Sequence, residues 1–214
     1  MNPGAMNPGD LALAAASAEA MLRPALDHPG WDRPAGELAW SCRRTLDHVT
    51  DSLLLYSTML ATRTQGALPA APRNGDPAAT LGELLTVAGT SAAVLADVVR
   101  AAPPDARAFH PAGVADVSGF VGMGCDELLV HTGDVADGLG LEYEPPAGLC
   151  DRVLRRLFPW APEGAGPWAT LRWANGRAGL PGHDRQDSDW YWHCAPLAEW
   201  DGTVPHRHVP PRWT

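Results

Sequence analysis

The chain has 214 residues, 45% of them apolar and 19% charged, the balance of a soluble globular protein with one core, or one domain plus an extension. A formal net charge of −9 and a pI near 5.2 argue against a nucleic-acid or anionic-membrane partner, because either needs a basic face. All sixteen cationic residues are arginine, and the four cysteines (Cys42, Cys125, Cys150, Cys194) form no C-x-x-C pair, which reads as reduced thiols in a cytoplasmic protein.

The doubled "MNPGAMNPGD" predicts a flexible leader over residues 1–9. The alanine-rich stretch from 10 to 27 has strong helix propensity. It lacks the basic start of a signal peptide, and no run approaches the roughly 20 apolar residues of a membrane span. "WDRPAGE" reads as a turn into a second helix, about Leu38 to Thr64, where Leu46, Val49, Leu53, Tyr56 and Leu60 step by three and four along one face. "GALPAAPRNGDPAA" carries three prolines and Asn-Gly and must be a loop. A third helix is expected from about Thr80 to Ala101, with Leu84, Val87, Leu95 and Val98 as its buried candidates, and Pro103 and Pro104 end it. A fourth runs from about Val117 to Leu139 and closes at "GLGLEYEPP". No convincing strand separates them. The expected fold is all-α: a four-helix bundle over residues 10–145, antiparallel or with a crossover.

Residues 146–214 differ in character, since seven of the nine tryptophans lie between Trp160 and Trp213. "LCDRVLRRLF" predicts one helix and "GPWATLRWANGR" another, and the remainder is expected to be irregular and to pack its aromatics on the bundle as an extension.

The chemistry concentrates in "CDELLVHTGD", residues 125–134. Glu127 and His131 sit four apart, so on a helix they differ by about 40° and one turn of rise and face one space. The H-E-x-x-H zinc motif uses the same spacing, with His at both ends. A third ligand must come from another helix, and His48 in "RRTLDHVTD", beside Val49 on the apolar face, is the best placed. A His₂Glu set with an open position is a recognised catalytic arrangement. The bland alternative stands beside it: such a pair is commonly a solvated or hydrogen-bonded couple, and a lone His48 a half-buried hydrogen-bonded histidine. Asp126 and Asp134 read as exposed carboxylates, with Asp134 placed to orient His131 from behind. A di-iron carboxylate bundle fails, since it needs Glu-x-x-His at i, i+3 on two helices.

"GELAWSCRRTLDHVTDSLLLYSTMLA", followed some eighty residues later by "GFVGMGCDELLVHTGDVADGLG", resembles the DinB-like superfamily, and more specifically the actinobacterial mycothiol-dependent maleylpyruvate isomerase N-terminal family. The resemblance covers roughly residues 10 to 142. It implies a four-helix bundle with one divalent metal ion, commonly zinc with nickel or another ion as the alternative, held by His48, Glu127 and His131. It further implies a thiol-dependent activity, isomerisation or S-transfer with mycothiol as cosubstrate, in which the metal lowers the thiol pKa and a second small molecule is the electrophile. Cys125 lies about 200° around the helix from Glu127 and reads as a packing residue. The chain departs from the isomerase in its tryptophan-rich C-terminal stretch, which stands in place of a separate domain. There Arg172, Arg177 and Trp192 are candidates for cosubstrate binding, and His193, Cys194 and Glu199 lie nearby. "HRH" at 206–208 is not read as a metal site. A metal- or small-molecule-binding bundle without turnover, and a metal-dependent hydrolase with bound water, are the alternative functions. Monomer or homodimer is expected.

Overall fold

The structure, a computed structural model, describes residues 5–68 and 74–207. It is mostly helical, with six α-helices and one short hairpin among those residues.

Helix α1 (Pro8–Leu22) starts from a reciprocal cap in which Asn7 accepts from the Gly9 amide and Asp10 accepts from the Asn7 amide. Such a cap contributes roughly 1 kcal/mol by satisfying amides that a helix start leaves bare. Arg152 then donates to Asp10 at 2.7 Å, and the Met6 amide donates to Ser118 Oγ at 2.9 Å. The expected leader is therefore corrected: residues 6–9 are built into the helix start, with Met6 buried, and residues 1–4 lie outside the described residues.

Helix α2 (Cys42–Thr62) begins four residues later than its apolar pattern suggests. Pro34 bridges Ser41 and the Ala35 amide bonds to the Trp40 carbonyl, so residues 35–40 form a tight turn, and Ser41 becomes the cap. Its predicted inward stripe, Leu46 to Leu60, is buried throughout. Helix α3 (Leu81–Ala101) is capped reciprocally by Thr80 and Glu83. Its inner face is Leu84, Leu85, Ala88, Ala92, Leu95 and Ala96, and Val87, expected inside, is 46% exposed. By length and composition α3 could cross a membrane, and its buried face packs on α1 and α2.

A hairpin interrupts the run of helices. Strands β1 (Arg107–His110) and β2 (Gly113–Asp116) pair antiparallel, Arg107 opposite Asp116 and His110 opposite Gly113, and the Phe109 amide donates to the Thr64 carbonyl at 2.8 Å. This corrects the strand-free expectation: four residues are too few to register a period-2 pattern. Helix α4 (Val117–Leu139) follows, capped by Asp116 and closed by Gly140. The helix ends at Leu139, as expected, with Gly138 in its last turn.

Helices α1 and α2 each pack on both α3 and α4, so they oppose one another across a diagonal. The links from α1 to α2 and from α3 to α4 therefore cross the bundle, the second through the hairpin. Helix α4 is buried nearly all round, as expected of a central helix. Helix α5 (Ala147–Leu157), helix α6 (Pro167–Ala174) and the irregular segment to residue 207 cover the side of α4 that the other three leave open. Trp173, Leu180, Trp190, Trp192 and Cys194 join the same apolar core as Leu53, Leu95 and Leu129. Trp213 lies outside the described residues.

Close approach fixes where α2 begins relative to the end of α4. A Cβ on Gly138 would lie 2.4 Å from the Pro34 carbonyl oxygen and 2.5 Å from Cys42 Sγ. Gly138→Ala would gain about 1 kcal/mol of helix propensity. It would also drive backbone against backbone at the α2 entry, where overpacking costs about 1–3 kcal/mol. The clash wins because a carbonyl cannot swing aside as a side chain can. The expected result is a lowered midpoint in chemical denaturation at unchanged slope, and a raised midpoint would refute it.

Candidate metal centre

The α2–α4 packing brings His48, Glu127 and His131 together, with one donor atom from each lying within 4.8 Å of the others. Glu127 Oε2 is 3.2 Å from His131 Nε2 and 3.5 Å from His48 Nε2. Neither contact has hydrogen-bond geometry, so this buried oxygen has no hydrogen-bond partner among the described residues although two ring nitrogens face it. An unsatisfied buried carboxylate oxygen costs free energy that native proteins seldom accept. Ligands about 2.0–2.2 Å from a tetrahedral divalent ion stand about 3.3–3.6 Å apart, which is close to the two separations between Glu127 and the imidazoles. The donor set thus fits a divalent ion, and three protein ligands leave one coordination position open.

Glu127 and His131 are each held from behind. The Tyr56 hydroxyl donates to Glu127 Oε1 at 2.7 Å, which turns Oε2 toward the imidazoles. Burial first, then the Glu127 charge, pushes the Tyr56 phenol well above its ordinary range and keeps it a donor. His131 Nδ1 lies 2.9 Å from Asp134 Oδ2. A carboxylate only accepts, so Nδ1 carries a proton, which leaves Nε2 as the nitrogen an ion would take. Asp134 in turn receives Arg177 Nε at 3.0 and 3.1 Å. Ser52 Oγ is 3.3 Å from His48 Nε2, and the Trp40 ring tilts against the His48 ring at 4.8 Å between centroids. Arg44 lies over the Trp40 ring, its guanidinium carbon 5.1 Å from the centroid.

Burial opposes charge on Glu127, yet His131 and His48 outweigh it and hold the carboxyl well below its usual range. Burial likewise works against protonated His131, but Asp134 and Glu127 prevail and raise its pKa to about 9. Without an ion, His131 is therefore protonated at neutral pH, and an ion that takes the Nε2 lone pair must expel that proton. Affinity should rise about tenfold per pH unit from near neutrality and level off above about pH 9. Titrations with a divalent ion between pH 6.5 and 9.5 would read this directly, and a flat profile would contradict it.

The three residues open onto a cleft of about 650 Å³. Trp40, Val130, Trp190 and Trp192 supply apolar wall, and Asn175, Arg177, Arg185 and Arg207 line it with polar groups. Arg207 stacks on Tyr191 and Trp190, with its guanidinium 4.7 and 5.4 Å from the ring centroids. Behind the site His110, buried against Tyr56 and Trp192, accepts the Ala112 amide on Nδ1, and burial lowers its pKa to about 4, so it is neutral.

Of the residues singled out from the sequence, His48, Glu127 and His131 converge, and Arg177 and Trp192 line the cleft. Arg172 does not: it pairs with Asp137 and lies over Trp168. His193 bonds to the Pro196 carbonyl, Glu199 pairs with Arg107, and Cys194 is buried in the core. His206 pairs with Asp189, and His208 lies outside the described residues. Asp126, expected exposed, is 1% exposed, and it accepts from Asn175 Nδ2 at 3.0 Å and Trp192 Nε1 at 2.9 Å. Burial raises its carboxyl to about 7 against the pull of those two bonds. Asp134 is 3% exposed, because the C-terminal segment covers that side of α4. Tyr56 was legible only as an apolar-face residue, and nothing in its spacing announced a bond to Glu127.

No protein-family model, curated protein or solved structure matches the chain.

Proposed function

We propose that the chain is a divalent-metal-dependent enzyme of the DinB-like, maleylpyruvate isomerase-related type, which activates a low-molecular-weight thiol such as mycothiol for S-transfer or isomerisation. The observation that carries this reading is the orphaned Glu127 Oε2 between two imidazole nitrogens on the wall of a cleft large enough for two small molecules. A bound ion, zinc in this proposal, supplies a Lewis acid that lowers the pKa of a thiol so that thiolate persists near neutral pH.

The chain's own residues do the rest. His131 and Glu127 are oriented by Asp134 and Tyr56, and Trp40, Trp190 and Trp192 restrict water around the reacting groups. Arginine side chains on the cleft wall suit a polar or anionic partner. None of the four cysteines lines the cleft. All four are buried, and burial raises each thiol, Cys150 and Cys194 to about 12. The nucleophilic thiol in this reading therefore comes from the cosubstrate.

Metal-loaded protein mixed with a thiol and an electrophile should consume thiol faster than the same mixture with metal-free protein. No consumption above background across a panel that includes mycothiol would overturn the transferase and isomerase reading.

A further inference from the structure

The turn Asn175-Gly176-Arg177 after α6 grips α4 at two carboxylates that bracket both of its proposed ligands. Asn175 Nδ2 donates to Asp126, next to Glu127, and Arg177 Nε donates to both oxygens of Asp134, three residues past His131. The two anchor points lie eight positions apart in the sequence, about two helical turns. Gly176 makes the span possible: its φ of +66° reverses the chain beyond α6, and the Arg177 amide bonds back to the Arg172 carbonyl at 2.8 Å. Arg177 Nη1 also donates to the Asn175 carbonyl at 3.0 Å, which sets the direction of its fork. Trp192 fills the other oxygen of Asp126 and pins that end from a third segment.

We propose that Arg177 is a positioning residue of the metal centre, with Asn175 as its anchor. By holding the Asp134 carboxylate in one plane it fixes the His131 ring, and it makes the C-terminal segment an integral part of the site. This rests on the reading of His48, Glu127 and His131 as ligands. Two effects of Arg177 have opposite signs. Its positive charge near a cation opposes metal binding, so by charge alone its removal would tighten affinity. Its orientation of Asp134 supports binding, so by positioning its removal would weaken it. Arginine outlying the ligands but pairing with the same helix is available as a control, since Arg172 on α6 pairs with Asp137 and touches no ligand partner.

The test is titration of the full chain with Zn²⁺, together with the visible absorption of the Co²⁺-loaded protein, for wild type, Arg177→Met, Arg177→Lys and Arg172→Met. Arg177→Met should weaken Zn²⁺ binding by about 10- to 100-fold and shift the cobalt bands, as loss of an outer partner of a ligating histidine does. Arg177→Lys keeps the charge without the fork and should recover part of the affinity, while Arg172→Met should stay within about twofold of wild type. Affinity of Arg177→Met equal to or tighter than wild type overturns the proposal, and so does an equal loss in Arg172→Met. If Arg177→Met fails to fold, Arg177→Lys decides: wild-type affinity with an unchanged cobalt spectrum overturns it. A wild type that binds no Zn²⁺ overturns the ligand assignment itself, which is distinguishable from a wild type that binds and a variant that matches it.

Discussion

Replacing His131 with alanine is expected to abolish retention of a divalent ion at the proposed centre. Wild type purified without a polyhistidine tag and dialysed against excess ion should retain about one ion per chain, and the variant close to none. His131 is the most firmly held of the three ligands, with Asp134 behind its Nδ1 and Arg177 behind Asp134. Its loss leaves Glu127 Oε2 facing only His48 at 3.5 Å, and two donors bind far more weakly than three. His193→Ala is the matching control, since that ring bonds to the Pro196 carbonyl outside the cleft. Equal metal in wild type and His131→Ala, by elemental analysis, would remove the ligand assignment.

The largest expected effect on stability comes from Arg156, which belongs to no proposed chemistry. This guanidinium is 1% exposed and reaches Asp116 at 2.5 Å, Ser118 at 3.2 Å, and the carbonyls of His193 and Cys194 at 3.1 and 3.0 Å. It ties α5 to the start of α4 and both to the C-terminal segment. Arg156→Met removes one partner of a buried network and leaves its acceptors behind, which costs about 3–5 kcal/mol, whereas removing every polar partner together can be neutral. At about 2–4 °C per kcal/mol for a chain of this size, Tm should fall by about 6–20 °C. Tryptophan emission should shift to the red as Trp190 and Trp192 gain solvent. A Tm within about 2 °C of wild type would show that the network contributes little.

The fold was legible where its cause is local. Apolar residues at steps of three and four placed the inner face of α2, and the glycines and prolines of "GLGLEYEPP" marked the end of α4. The errors arose where another segment intervened. Val87 fits the apolar pattern of α3, yet the inner face is set by Leu84, Leu85 and Ala88, whose phase answers to α1 and α2. The α2 start moved because the turn at 35–40 is stabilised by its own backbone bonds. The hairpin escaped because four-residue strands carry almost no periodic signal, and residues 6–9 read as a leader because the bond from Met6 to Ser118 joins residues 112 apart in the sequence.

The candidate site divides in the same way. By itself the sequence determined that Glu127 and His131 face one space, because helical rotation is a property of the backbone and needs no partner. It made His48 eligible through its place beside the apolar stripe of α2. Only the tertiary structure decided that α2 and α4 lie side by side, and so that the three donors meet. Burial of Asp126, pairing of Asp134 with Arg177, and the difference between Arg177 in the cleft and Arg172 outside it were likewise decided there. Each depends on the C-terminal segment folding back over α4 from 35 to 66 residues away. No local pattern encodes that contact, because its free energy comes from surfaces that exist only once both elements have formed.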